Sequence, residues 1–147
     1  MLRERITEDM KAAMRAKDAP RLGVIRLALA AIKQREVDER IVLDDVQTLS
    51  VLEKMVKQRR ESIAQFEVAK RQDLIDQEQF EITVLKDYLP EALDPAAVDQ
   101  LIAQTADALG AKSVKDMGRL MAELKTVLAG RADMQLVSQK VKARFNP

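Results

Sequence analysis

The sequence contains no cysteine, no histidine and no tryptophan. Without cysteine it can form no disulfide, no thiolate zinc site and no cysteine nucleophile. Without histidine it lacks the usual general base of enzymes and the commonest metal ligand. Any catalysis would have to use carboxylates, lysines or hydroxyls, so we expect no cofactor, no bound metal and no autonomous enzyme activity.

Glycine is scarce, with four residues in the chain. These glycines form neither the G-x-x-x-x-G-K nor the G-x-G-x-x-G arrangement that binds nucleotide phosphates. Long apolar runs are missing as well: no stretch approaches the roughly 20 residues of a membrane span. Residues 1–5 form no apolar signal core. We therefore expect no membrane association and a cytoplasmic location.

Charge and aromatic content bear on nucleic-acid binding. The chain has 25 basic and 24 acidic residues, a net charge of +1, and 3% of its residues are aromatic. Proteins that bind nucleic acid usually carry a strong basic excess, and single-strand binders use aromatic side chains to stack on bases. Sequence-specific binding of single strands is therefore not expected, whereas contact with the backbone of a folded RNA stays open.

What the sequence does have is apolar residues at helical spacing along almost its whole length. Such stripes predict successive amphipathic helices, and no alternation typical of strands occurs. Asp18, Asp44, Asp94 and Asp133 are suited to cap helix starts. The stripes contain Ile6, Met10 and Met14; Leu22, Ile25, Leu29 and Ile32; Leu49, Leu52, Val56, Ile63 and Phe66; Leu74, Ile75, Ile82, Leu85 and Leu89; and Met134, Val137, Val141 and Phe145.

The segment 90–97 predicts a domain boundary. Pro90 would end one helix, and Asp94 followed by Pro95 is typical of the start of the next. We therefore expect an all-α protein with an N-terminal helical bundle of about four helices in residues 1–91. A small three-helix domain should follow in residues 92–147.

Charged residues interrupt two of the stripes. Glu78 falls in the middle of the fourth stripe and Glu81 at its edge, while Arg59 falls within the third. Because charged side chains are rarely buried without a partner, a bridge from Arg59 to Glu78 or to Glu81 is the favoured interpretation. The alternative is a ligand-binding or acid–base carboxylate in the bundle core, for which a bare carboxylate pair is a weak indication.

Two further groups of charged residues are candidate sites. The acidic groups Glu36, Asp38 and Glu39, and Asp44 and Asp45, could hold Mg²⁺ through oxygen ligands, but helix ends collect such residues, so solvated surface is the favoured interpretation. Seven basic residues of the second domain could form a face that contacts phosphates, or could simply be solvated. They are Lys112, Lys115, Arg119, Arg131, Lys140, Lys142 and Arg144.

The C-terminal third places glycines at fixed positions between short helices. Its string runs from Gly110 to Met121, through Gly130-Arg-Ala-Asp133, to Val137-Ser-x-x-Val-Lys142. It resembles the small helical domain of the GatB/YqeY family, which includes the tail of the GatB component of tRNA-dependent amidotransferases. The N-terminal part is similar to stand-alone YqeY proteins in the segments Arg5-Ile6-x-x-Asp9-Met10, Arg21-Leu22-x-x-Ile25-Arg26, Lys33-x-x-Glu36, Lys57-Gln58-Arg59, Arg71-x-Asp73-Leu74, Glu78-x-x-Glu81 and Tyr88-Leu89-Pro90.

Two residues depart from the pattern of the family it resembles. Lys70 stands where a glycine is common, and Thr126 stands where a proline is frequent. Both belong to joints between helices, so they concern loop geometry. Among the glycines present, Gly118 is predicted to allow a close approach of helices, and Gly130 to supply a turn conformation that other residues adopt at a cost.

The resemblance implies a non-catalytic accessory or tRNA-binding module, because the similar amidotransferase tail is thought to help hold tRNA while other domains carry out the chemistry. One alternative is a component of a carbon–nitrogen ligase with glutamine as amide donor, active only with partner subunits. The second alternative is a helical protein–protein adaptor. The partners implied are tRNA and amidotransferase or other translation-related proteins.

Overall fold

The computed structural model describes residues 1–146, which form seven α-helices and one short 3-10 helix, with no strand in that range. The all-α prediction is confirmed. No helix among these residues combines the length and the apolar character that crossing a membrane requires. The chain divides into two compact units, the first covering Met1–Pro90 and the second beginning at Glu91.

The first unit contains four helices: α1 (Leu2–Arg15), α2 (Ala19–Glu39), α3 (Asp45–Val68) and α4 (Gln72–Lys86). The start of α2 is capped by Asp18, whose carboxylate accepts a hydrogen bond from the N–H of Arg21. The start of α3 is a capping box in which Asp44 and Gln47 each accept the other's backbone N–H. These local signals fix where the helices begin.

The core of the first unit is aliphatic, as the scarcity of aromatic residues requires. Side chains from all four helices are almost fully buried in it, including Ile6, Ile25, Ile32, Leu52 and Leu85. Six of the fourteen buried side chains of this core belong to the stripes predicted from the sequence, and five further stripe residues pack against it partly buried. Met14 departs from its stripe because it is 49% exposed at the end of α1.

The second unit contains α5 (Pro95–Leu109), a 3-10 turn (Val114–Asp116), α6 (Met117–Val127) and α7 (Met134–Phe145). Asp94 caps α5 by accepting from the N–H of Ala97, at 2.7 Å. The N–H of Leu93 donates to the carbonyl of Arg131, at 3.0 Å, and so ties the chain before α5 to the turn before α7. A separate aliphatic core holds the helices together, with Ile102, Leu120, Leu124, Leu128, Val137 and Val141 almost completely buried.

Several joints between helices use left-handed backbone. Gly110 (φ 66°) and Gly130 (φ 71°) are in this region, so the turn role predicted for Gly130 is confirmed. Lys70, between α3 and α4, also has a positive φ of 56°. A glycine would adopt that conformation at less steric cost than lysine does. The prediction for Gly118 is wrong, because a Cβ atom there would meet nothing within 4 Å.

Candidate functional site

The charged residues that interrupt the stripes of α3 and α4 meet in an ion pair. Arg59 Nε donates to Glu81 Oε2 at 2.9 Å, and each side chain is 14% exposed. The same guanidinium donates from Nη1 to the carbonyl of Met55, one turn back on α3. Both charges are therefore engaged in joining the two helices.

Glu78 occupies a different position from Glu81. Its side chain is half-buried on α4, and burial raises the pKa of the carboxyl, with the neighbouring charge of Glu81 acting in the same direction. The charge of Arg59 opposes this rise. Of the two bridges that the sequence allows, the structure has the one from Arg59 to Glu81.

A second polar cluster lies where α4 ends, and sequence reasoning missed it. The buried Tyr88 donates its hydroxyl to Asp9 Oδ2 at 2.5 Å, and the Arg5 guanidinium lies 4.9 Å from the centre of the tyrosine ring. Arg5 also donates to the carbonyl of Asp87, whose side chain pairs with Arg21 at 3.2 Å. The cluster fastens the chain that directly follows α4 to α1 and α2.

The signal for this cluster was present in the sequence. Three of the segments that carry the family resemblance supply four of its five members: the one beginning at Arg5, the one beginning at Arg21 and the one beginning at Tyr88. Tyr88 is also the only tyrosine of the chain. Because 79 positions separate Asp9 from Tyr88, helical periodicity alone could not bring them together. The helix α4 ends at Lys86, earlier than Pro90.

The acidic residues that could have bound Mg²⁺ each have a separate partner. Glu36, which is buried, accepts from the N–H of Leu43 at 3.0 Å and pairs with Arg3. That backbone hydrogen bond holds the pKa of Glu36 below its ordinary value. Each of the other carboxylates accepts from a different nearby group. The donors are the side-chain amide of Gln34 for Asp38, the guanidinium of Arg35 for Glu39, the N–H of Gln47 for Asp44 and the N–H of Leu2 for Asp45. Within residues 1–146 they do not converge on one point that could hold a metal ion.

An open groove runs between α2 and α3. Its apolar lining comes from Ala31, Val51 and Met55, and polar side chains surround them. Two of these, Arg35 and Glu39, are paired with each other, and Arg35 also donates to the carbonyl of Gln47. Four of the polar side chains along the groove are therefore engaged with each other, as the pairs Arg35–Glu39 and Gln34–Asp38.

The basic residues of the second unit are spread along its length, but five of them lie at one end. Arg144, near the end of α7, pairs with Asp107, near the end of α5, at 3.7 Å. The chain that follows α5 then leads directly into the 3-10 turn and the start of α6. We call this the basic end of the unit; its cations are Lys112, Lys115, Arg119, Lys142 and Arg144.

The other two predicted residues lie elsewhere in the unit. Lys140 pairs with Asp99 on the middle turns of α5 and α7, at 2.7 Å. Arg131 stands beside the start of α5, where its carbonyl accepts from the N–H of Leu93. At the rise of an α-helix, the twelve residue steps from Pro95 to Asp107 span about 18 Å. Arg131 is therefore too distant to act in the same patch as Arg144.

Asp116 organises the loop of the basic end. Its Oδ2 atom accepts from the N–H groups of Lys112 at 2.9 Å and Ser113 at 3.3 Å. Its Oδ1 atom pairs with Arg119 at 3.2 Å. The two backbone hydrogen bonds, with the nearby Arg119 charge, hold the pKa of Asp116 below its ordinary value. Ser113 and Asp116 have the S-x-x-D spacing typical of a helix start, and here the Asp116 carboxylate holds the backbone before α6.

Comparison with known proteins places the chain in a family. The protein-family model described as Yqey-like protein matches residues 3–145 of this chain. A protein of Pyrenophora tritici-repentis named altered inheritance of mitochondria protein 41, mitochondrial, is 30% identical over 141 residues, covering 94% of this chain and 77% of the relative. Proteins with the same name from Eremothecium gossypii (40% identical) and Saccharomyces cerevisiae strain YJM789 (33%) align with 70% and 71% of this chain. Those alignments span 56% and 58% of the two relatives.

These names contradict the cytoplasmic location expected from the sequence, since the relatives are named as mitochondrial proteins. That expectation rested on missing apolar segments, which do not distinguish one aqueous compartment from another. The family, by contrast, is supported over nearly the whole chain, because the match begins at residue 3 and ends at residue 145. The chain belongs to the YqeY-like protein family.

Proposed function

We propose that this protein is a non-catalytic accessory module that contacts tRNA through the basic end of its second unit. The observation that carries the proposal is the grouping of five basic side chains where α5 and α7 end and α6 begins. Within the second unit, the acidic residues at this end are Asp107 and Asp116, so positive charge predominates there. Phosphate groups of a folded RNA are the ligand that such a patch suits.

The exposure of the side chains supports the same proposal. Lys112, Lys115 and Lys142 are exposed, and lysine binds phosphate as a mobile point charge. The neighbouring helices obtain their stability from the buried aliphatic core of the unit. The lysines of the basic end can therefore contact a ligand without disturbing the packing beneath them.

Recognition of this kind would read the shape and backbone of the RNA rather than its bases. Phe145 is half-buried against the core of the second unit, so it is not displayed for stacking on a base. Affinity would then depend on the number of phosphates contacted, and log K would fall linearly with log salt. With up to five cations available, we expect a slope of about −3 to −4.

The test is a salt titration of tRNA binding to the full chain. Lys115→Gln and Lys142→Gln should each weaken binding and reduce the slope by about one. Two variants serve as matched controls: Arg131→Gln, at the other end of the unit, and Lys54→Gln, exposed on α3 of the first unit. Both controls should bind like the wild type.

Two results would overturn the proposal. One is the absence of saturable tRNA binding at low salt. The other is an equal loss of affinity in the Lys54 and Lys115 variants, which would show that net charge alone is responsible. Capture of a protein partner without any dependence on salt would favour the adaptor alternative. Release of ammonia from glutamine by the purified chain would favour the carbon–nitrogen ligase alternative.

A further inference from the structure

The two carboxylates of the basic end have different surroundings. Asp107 is 81% exposed, and its contact with Arg144 spans 3.7 Å. Asp116 is 27% exposed and holds two backbone N–H groups as well as Arg119. Removing either carboxylate makes the surface more positive by one charge, but only Asp116 supports the chain that carries Lys112 and Lys115.

We propose that Asp116 is a positioning residue for phosphate binding, and that Asp107 competes with phosphate for Arg144. This inference rests on the proposed function and assigns opposite roles to two residues of the same charge. Lys112 leads into the turn that Asp116 closes, and Lys115 lies within the 3-10 turn itself. Without an acceptor at position 116, the N–H groups of Lys112 and Ser113 lose their partner, and the loop has no fixed conformation in which to present the lysines.

The competition at Asp107 follows from the geometry of its ion pair. An exposed pair of this kind is weak, so a phosphate can displace the carboxylate from Arg144. Each binding event must nevertheless break that contact. Removing the carboxylate frees the guanidinium, which can then engage a phosphate with two parallel hydrogen bonds.

The experiment compares four variants in the tRNA salt titration. Asp107→Ala should bind about two- to fivefold more tightly than the wild type. Asp116→Ala should bind about fivefold more weakly, with a salt slope smaller by one to two, because Lys112 and Lys115 no longer reach their phosphates. Asp116→Asn removes the charge and keeps an oxygen that accepts the two N–H groups, so it should bind at least as tightly as the wild type. Glu61→Gln, exposed on α3 of the first unit, makes the same change in net charge and should have no effect.

The salt slope separates positioning from simple loss of fold. A variant that is partly unfolded binds with a lower apparent affinity but an unchanged slope, and its thermal midpoint shows the unfolded fraction. The inference is overturned if Asp116→Ala tightens binding as Asp107→Ala does, or if Asp116→Asn weakens binding as much as Asp116→Ala. If the wild type binds no tRNA, the proposed function fails and this inference fails with it. Normal wild-type binding with equal effects of both alanine variants overturns the inference alone.

Discussion

Arg59 on α3 and Glu81 on α4 form an ion pair of 2.9 Å in which each side chain is 14% exposed. The pair lies across the hairpin that these helices form and is supported by a bond from Arg59 to the carbonyl of Met55. A partly buried pair of this kind is costly to break from one side, because the remaining charge keeps its desolvation cost without its partner.

Glu81→Gln should therefore destabilise the first unit by about 1–3 kcal/mol. The variant leaves the Arg59 charge facing a neutral amide, while the size of the side chain is nearly unchanged. Urea unfolding followed by circular dichroism measures the difference. The matched control is Glu61→Gln, also on this hairpin but exposed, which should be neutral. Equal stability of the two variants would show that the pair makes no net contribution.

Glu78→Gln should have the opposite effect at neutral pH. The raised pKa of Glu78 means that the folded protein holds this proton more tightly than the unfolded chain does. Stability from this group is present below the ordinary carboxyl pKa of 4.5. It is lost as pH rises through the raised pKa of the folded state. Glutamine carries no ionisable group, so the variant does not lose this stability as pH rises.

The measurement is the thermal midpoint as a function of pH. We expect Glu78→Gln to melt at a higher temperature than the wild type at pH 7, and the difference to disappear below pH 4.5, the ordinary carboxyl value. A lower midpoint for the variant at pH 7 would contradict this result. It would show that the ionised carboxylate is stabilising, as an ion-paired Glu78 would be.

The sequence predicted the parts of this structure that short stretches of chain determine. Asp18, Asp44 and Asp94 cap helices as expected, because a cap needs only the three residues that follow it. The contact between Asp9 and Tyr88 was beyond such reasoning, since it depends on how α1 packs against the end of α4. The surroundings of Gly118 were beyond such reasoning as well, because they depend on which distant parts of the chain lie beside α6.

The candidate site was predictable in composition but not in arrangement. The sequence identified seven basic residues, and the structure separates Arg131 and Lys140 from the five of the basic end. Helical periodicity places residues on one helix, whereas this separation depends on which helix ends lie together. The partners of the acidic groups, such as Leu43 for Glu36, likewise depend on how a loop closes onto a helix.

Tyr88→Phe should destabilise the first unit by about 1–2 kcal/mol, because the half-buried carboxylate of Asp9 loses a hydrogen-bond donor. The ring and its contact with Arg5 stay, so packing changes little. Burial, with help from Asp9, raises the pKa of Tyr88 above its ordinary value of 10.0. The wild type should therefore lose stability as pH rises above 10, where the unfolded chain ionises this hydroxyl first.

Urea titrations of the wild type and Tyr88→Phe at pH 7 and above pH 10 test both statements. The gap in stability should narrow at the higher pH, because the variant has no hydroxyl to ionise. A gap that stays constant would show that Tyr88 is not responsible for alkaline destabilisation. A gap of zero at pH 7 would show that the bond to Asp9 adds nothing.

Lys70→Gly should stabilise the joint between α3 and α4. Lysine at a φ of 56° bears a steric cost of about 1–2 kcal/mol that glycine avoids, while glycine costs about 0.4–1 kcal/mol through the greater freedom of the unfolded chain. The net gain expected is about 0.5 kcal/mol. Lys86→Gly, at the right-handed end of α4, is the control and should be destabilising. A loss of stability in both variants would mean that entropy dominates at Lys70.

Gly118→Ala should also stabilise the protein, by about 0.5–1 kcal/mol, because alanine is the better helix former. Gly118 is the second residue of α6, has no positive φ, and would present its Cβ to open space. The contrasting variant is Gly130→Ala, whose φ of 71° alanine reaches only with strain. Thermal unfolding of the two variants should therefore shift in opposite directions. A destabilised Gly118→Ala would restore the close-approach role predicted from the sequence, since only a neighbour in contact with the new methyl group could reverse the gain in helix propensity.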